Sequence, residues 1–261
     1  MAEGRPREGE IAALRAGIAR GLSHIDTAEL YGGGAAEELI AEAIRGIPRR
    51  ELFLVSKVLP QNASHAGTIR ACEQSLRRLG TDYLDVFLLH WRGHHPLADT
   101  LGALETLVDQ GKIRALGVSN FDVDDLEEAR ALLVRHPITC NQVLYHLQER
   151  HVDVALRDYC ARRHIALVGY SPFGHGRFPS LASRVGRVLT AVAARHEATP
   201  RQVALAFLTR EAPLFTIPKA STAAHAEENA GALGLQLAAP ELAEIDAAFP
   251  VAPAGAELPT I

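Results

Sequence analysis

Apolar runs of strand length return along this chain at a nearly constant interval. They begin near Ser23 (SHIDT), Leu52 (LFLVSKV), Leu84 (LDVFLLHW), Ile113 (IRALGVSN), Ile138 (ITCNQVLY), Ile165 (IALVGYSP) and Leu214 (LFTIPK); they lie 25 to 32 residues apart up to the sixth, with 49 before the last. About 30 residues is the length of one strand plus one crossover helix. The runs are nearly all apolar rather than alternating, the pattern of parallel strands covered on both faces. Amphipathic segments fill the intervals. Ile11, Leu14 and Ile18 share one helical face, as do Ile69, Cys72, Leu76 and Leu79, after which Gly80 is a natural stop. The segment LGALETLVDQG ends at Gly111. Thr199, Pro200 and Gln202 form a capping-box pattern, and a helix around Ser183 to His196 accounts for the long last interval. Repeated strand–helix units close into a barrel or open into a doubly wound sheet. No G-x-G-x-x-G follows the first strand, so the expectation is an α/β (β/α) barrel, one domain over residues 1–261.

Composition narrows the function classes. Hydrophobic residues make up 48% of 261, enough for a large core, and a formal net charge of −4 without a basic stripe argues against nucleic acid. No apolar run reaches the roughly 18 residues of a membrane span. The segment MAEGRPREGE lacks the apolar stretch of a signal peptide. Cys72, Cys140 and Cys160 are odd in number and form no C-x-x-C pair, which reads as a reduced, cytoplasmic protein with all three thiols in the core. His94 and His95 in RGHHP read as a solvated loop, and no metal site is expected.

Function in a (β/α) barrel sits at the C-terminal ends of the strands. Read there, the strands yield Asp26 with Tyr31 in the following loop, then Lys57, His90, Ser119 with Asn120, Asn141 with Gln142, Tyr170 with Ser171, and Lys219. Polar residues begin loops in any protein, but an Asp, a Lys, a His and a Tyr converging on one rim suggest more. Asp26 and Lys57 lie on adjacent strands and can pair, as buried charges must. An ammonium beside a phenol favours the phenolate and makes the hydroxyl a better acid. His90 can donate a hydrogen bond to a carbonyl. The set suits protonating a carbonyl oxygen while something else attacks the carbon. A Schiff base on Lys57 is the competing chemistry, disfavoured by the neighbouring Asp26, which keeps the amine charged.

The motifs HIDTAELYG, LFLVSKV, LDVFLLHW, GKIRALGVSNF, NQVLY, YSPF and IPKASTAAHAEEN occur in that order between about Glu10 and Phe249. In this they resemble the aldo-keto reductase superfamily, and most of all its compact bacterial members acting on small aldehydes such as methylglyoxal. The resemblance implies a (β/α)8 TIM barrel that reduces aldehydes or ketones with NADPH, without metal, as a monomer. It implies a catalytic tetrad of Asp26, Tyr31, Lys57 and His90, with Tyr31 the general acid. Ser119, Asn120 and Gln142 would hold the nicotinamide carboxamide. Tyr170 would stack on the ring, Ser171 would meet the pyrophosphate, and Lys219, Ser221, His225, Glu228 and Asn229 would meet the adenosine end. Trp91 would line the substrate pocket.

Three departures from the family stand out. Ala220 and His225 replace a serine and an arginine near the 2′-phosphate, so NADH is an alternative cofactor. The tail after Phe249 is short, which implies an open pocket. The segment MAEGRPREG is too polar and glycine-rich for a strand. The expectation is therefore seven strands, without the N-terminal hairpin and first strand of the family, with two sheet edges facing each other across a gap. A chain truncated in this way could also serve as a cofactor-binding regulatory subunit without turnover.

Overall fold

A computed structural model of the chain describes residues 7–251 and 258–260. Seven parallel strands form one sheet in sequence order: β1 His24–Asp26, β2 Phe53–Val58, β3 Leu84–Leu89, β4 Ile113–Ser119, β5 Ile138–Leu144, β6 Ala166–Tyr170 and β7 Leu214–Ile217. Each lies within the apolar run read from the sequence. The sheet curls into a nearly closed barrel. β1 and β7 approach each other, but no hydrogen-bonded ladder joins them among the described residues.

The helices are α1 Arg7–Ala19, α2 Ala35–Ala43, α3 His65–Leu79, α4 Leu97–Asp109, α5 Val123–Leu132, α6 Leu156–Arg162, α7 Arg184–Arg195, α8 Pro200–Leu208, α9 Ala223–Ala230 and α10 Ala239–Ala248. The capping signals act as the sequence suggests. Thr199 Oγ1 accepts from Gln202 N at 3.2 Å while Gln202 Oε1 accepts from Thr199 N at 2.8 Å. Gly80 ends α3 in the left-handed region at φ 65°, where only glycine is unstrained. Of MAEGRPREG, Arg7 to Gly9 open α1, and residues 1–6 lie outside the described set. So do residues 252–257 and 261 of the tail beyond Phe249.

Alternate side chains of each strand face the barrel axis or the helix layer. The axial core is small: Val55, Val86, Leu88, Cys140 and Val168. The core between sheet and helices is much larger and includes Leu54, Phe87, Leu89, Leu104, Val118 and Phe207. Burying each such side chain contributes roughly 1.5–3 kcal/mol. Gly117 is what lets the axial layer close. A Cβ there would lie 2.6 Å from Leu88 Cδ2 and 2.8 Å from Cys140 Sγ, beside a register shift in the β4–β5 pairing. All three cysteines are buried, and burial pushes each thiol up to about 12. Among the described residues no helix is long and apolar enough to cross a membrane.

Candidate active site

Asp26, the last residue of β1, points into the barrel at the rim. Lys57, on the neighbouring β2, is completely buried, and its ammonium donates to Asp26 Oδ1 and to the Thr27 carbonyl at 2.8 Å. Such a pair is tolerable in a barrel interior only when its remaining lone pairs and protons find partners. The second carboxylate oxygen has one: Gln142 Nε2 donates to Asp26 Oδ2 at 2.7 Å. Gln142 lies on β5, on the far side of the barrel mouth, 116 residues away in sequence.

The loop after β1 brings Tyr31 over this pair. Gly32, Gly33 and Gly34 all have positive φ (62°, 61° and 98°), which turns the chain sharply into α2. The Lys57 ammonium lies 5.4 Å from the centre of the Tyr31 ring. His90, just beyond β3, meets Tyr31 edge-on at 5.9 Å and 86°. Trp91 follows with its ring 4.7 Å from that of His90 and stands half-exposed on the rim. The four rim residues singled out from the sequence thus come together on three adjacent strands and one loop.

His90 is 9% exposed, and its Nδ1 is buried without a partner. Burial, reinforced by the Lys57 charge and only partly opposed by Asp26, lowers its pKa to about 4. It is therefore a neutral imidazole over the ordinary pH range, with one N–H to give. The unfolded histidine titrates near 6.5, so between pH 6.5 and about 4 the unfolded chain binds more protons. Stability conferred by neutral His90 is full above 6.5 and is lost as pH falls through that window, by up to about 3 kcal/mol. The urea-unfolding free energy of a His90→Gln variant should show a shallower acid slope than the parent. Equal slopes would contradict this.

The residues expected at a nicotinamide form a continuous network with this centre. The Gln142 carbonyl accepts from Ser119 Oγ and from Asn120 N, both at 2.8 Å. Asn120, held in the left-handed region at φ 61°, donates from Nδ2 to the His90 carbonyl at 3.2 Å and accepts from Tyr170 Oη at 2.9 Å. Asn141 side-chain groups bind the Phe121 backbone instead and only brace β5. Ser171, at φ 53°, begins the loop beyond β6.

The remaining residues, Lys219, Ser221, His225, Glu228 and Asn229, lie past β7 on α9 and its approach. Thr222 Oγ1 caps α9 through His225 N at 3.2 Å. Lys219 and His225 are exposed and Asn229 is buried. An exposed lysine beside a capped helix start offers the positive charge and N–H groups that a phosphate needs. Together with the half-buried Tyr170, this donor set fits a dinucleotide laid from β6 to α9.

Sequence reasoning missed two buried carboxylates, Glu29 and Glu37, which flank Tyr31. Glu37 had only a faint signal: it lies three residues before Ile40, one turn back along the same side of α2. No cluster of three metal-ligating side chains occurs among the described residues.

A model of the Aldo/keto reductase family matches residues 3–249. The methylglyoxal reductase YeaE of Escherichia coli (strain K12) is 44% identical over 249 residues, covering 95% of this chain and 87% of its own. The glyoxal reductase of Bacillus subtilis (strain 168) is 38% identical over 90% of this chain and 82% of its own. Among solved structures, an aldo-keto reductase from Klebsiella pneumoniae in complex with NADPH superposes with a TM-score of 0.90 at 43% identity, over 98% of this chain and 89% of the other.

Proposed function

The chain belongs to the Aldo/keto reductase family, and from that premise we propose that it reduces small aldehydes or ketones such as methylglyoxal with NADPH, Tyr31 acting as the acid. The observation that carries the reading is the buried Asp26–Lys57 pair set beneath the Tyr31 ring, with neutral His90 edge-on to it. When bound, the cofactor supplies the hydride. Ser119, Asn120 and Gln142 would hold its carboxamide and Tyr170 would stack on its ring. Lys219, Ser221 and His225, with Ser171, would meet its phosphates, and Glu228 and Asn229 its adenine.

The rest is the work of the chain's own groups. The His90 N–H donates to the carbonyl oxygen and fixes its direction. As negative charge grows on that oxygen, the Tyr31 hydroxyl gives it a proton. Lys57 stabilises the phenolate left behind, and Asp26 holds Lys57 in place. Half-exposed Trp91 and Leu30 would form an apolar lip for small substrates. The test is cofactor oxidation at 340 nm with methylglyoxal and aromatic aldehydes as substrates. Turnover that requires both carbonyl and reduced cofactor is expected; its absence from folded protein would overturn the reading.

A further inference from the structure

Tyr31 sits on a connection that contains three consecutive glycines, yet a proton donor must be held to a fraction of an ångström. Glycines make the turn possible and also make it loose. Something else must fix it, and the structure shows a buried carboxylate on each side.

Glu29, two residues before Tyr31, accepts from Leu59 N at 2.7 Å and from Asn62 Nδ2 at 3.0 Å. Glu37, six residues after it and fully buried, accepts from Ser56 Oγ at 2.6 Å and from Arg78 Nε at 2.5 Å. Ser56 is the residue before Lys57, and Leu59 follows Lys57 by two. Both ends of the Tyr31 connection are therefore tied to the stretch around the lysine: Glu37 to Ser56 on β2, and Glu29 to Leu59 and Asn62 just beyond its end. The backbone adds a weaker tie, Glu29 N to the Lys57 carbonyl at 3.4 Å. Arg78, from α3, passes so close under the turn that a Cβ on Gly34 would lie 2.5 Å from its Nε. Gly34 thus serves the tie as well as the turn: a side chain there would push Arg78 off Glu37.

We infer that Glu29 and Glu37 are positioning residues that set the distance between Tyr31 and Lys57, a role that rests on Tyr31 being the acid. Neither carboxylate lies among the groups that reach substrate or cofactor. Their action is through β2, so it should appear in kcat and not in binding.

The experiment uses the full chain in three variants, Glu29→Ala, Glu37→Ala and Ser56→Ala. Ser56→Ala removes a Glu37 tie while leaving the Glu37–Arg78 pair intact, so it carries the test if Glu37→Ala fails to fold. The glutamate variants should lose about 10- to 100-fold in kcat, with KM and NADPH affinity within about twofold of the parent, and Ser56→Ala should lose less. Glu29→Gln, which keeps an acceptor for Leu59 N, should recover most of the loss.

A second readout is independent of turnover. With the five tyrosines labelled at Cζ with carbon-13, the Tyr31 resonance, assigned by Tyr31→Phe, should shift or split in the variants while the other four stay in place. An unmoved Tyr31 signal, or parental kcat in Glu29→Ala and Ser56→Ala, would overturn the clamp. If the parent itself turns over no carbonyl, the carbonyl-reductase reading falls, and the resonance alone decides whether the clamp exists.

Discussion

Tyr31→Phe should lower kcat by about 10²- to 10⁴-fold and leave cofactor affinity unchanged. The substitution removes one oxygen and nothing else. The ring keeps its edge-on contact with His90 and its place above Lys57, so the shape of the site persists. What disappears is the hydroxyl proposed above as the proton donor, on a ring 5.4 Å from the Lys57 ammonium. The oxygen of a reduced carbonyl would then have to take its proton from water. Steady-state kinetics with a small aldehyde, alongside a fluorescence titration with NADPH, separates the two effects. A variant keeping more than about a tenth of the parental kcat would remove Tyr31 from the role of acid.

Lys57→Met should be the most destabilising single change in the site. Lys57 is completely buried, and the Asp26 side chain is 7% exposed. Deleting the ammonium leaves a carboxylate in the barrel mouth with Gln142 as its sole side-chain donor among the described residues. Removing one member of a buried pair typically costs about 3–5 kcal/mol, because the survivor is left without a counter-charge. Replacing both by apolar residues of similar size, Asp26→Leu with Lys57→Met, should restore much of that stability while turnover stays absent. Urea unfolding of the three proteins checks this. A Lys57→Met variant losing less than about 1 kcal/mol would mean that Asp26 finds its compensation elsewhere.

The strands were legible because a parallel strand covered on both faces must be apolar throughout, and such runs stand out from amphipathic helices. Asp26, Lys57 and His90 were legible because a polar residue at the C-terminal end of such a run lies at the rim, and Tyr31 because it follows the first of them by one short loop. What the rim residues do with one another was less accessible. Gln142 reads as one more polar strand end, and nothing local tells that its amide crosses the barrel mouth to Asp26; that contact depends on how tightly the sheet curls. Glu29 reads as an ordinary solvent-facing acid of a loop, and the i+3 spacing of Glu37 from Ile40 is faint beside its place in a polar first helical turn. Their burial comes from Ser56 and Arg78, and from the Leu59 amide and Asn62, all distant in sequence. Arg150, Asp153, Arg210 and Tyr145 likewise form a buried hydrogen-bonded cluster beneath the β5 and β6 ends that no pattern along the chain announces.

The unjoined seam between β1 and β7 bears on how the site opens and closes. β1 is three residues long and, among the described residues, is laddered on one side only, to β2. Segments of this kind peel away at small free-energy cost, well below that of global unfolding. Yet this strand carries Asp26, whose two oxygens are tied to Lys57 on one neighbour and to Gln142 across the mouth. The side chains that would tune the acid also moor the strand least held by its backbone. Fraying of β1 and loss of the Asp26–Lys57 pair are then a single event, and the amide-exchange rate of Ile25 and Asp26 measures how often it happens.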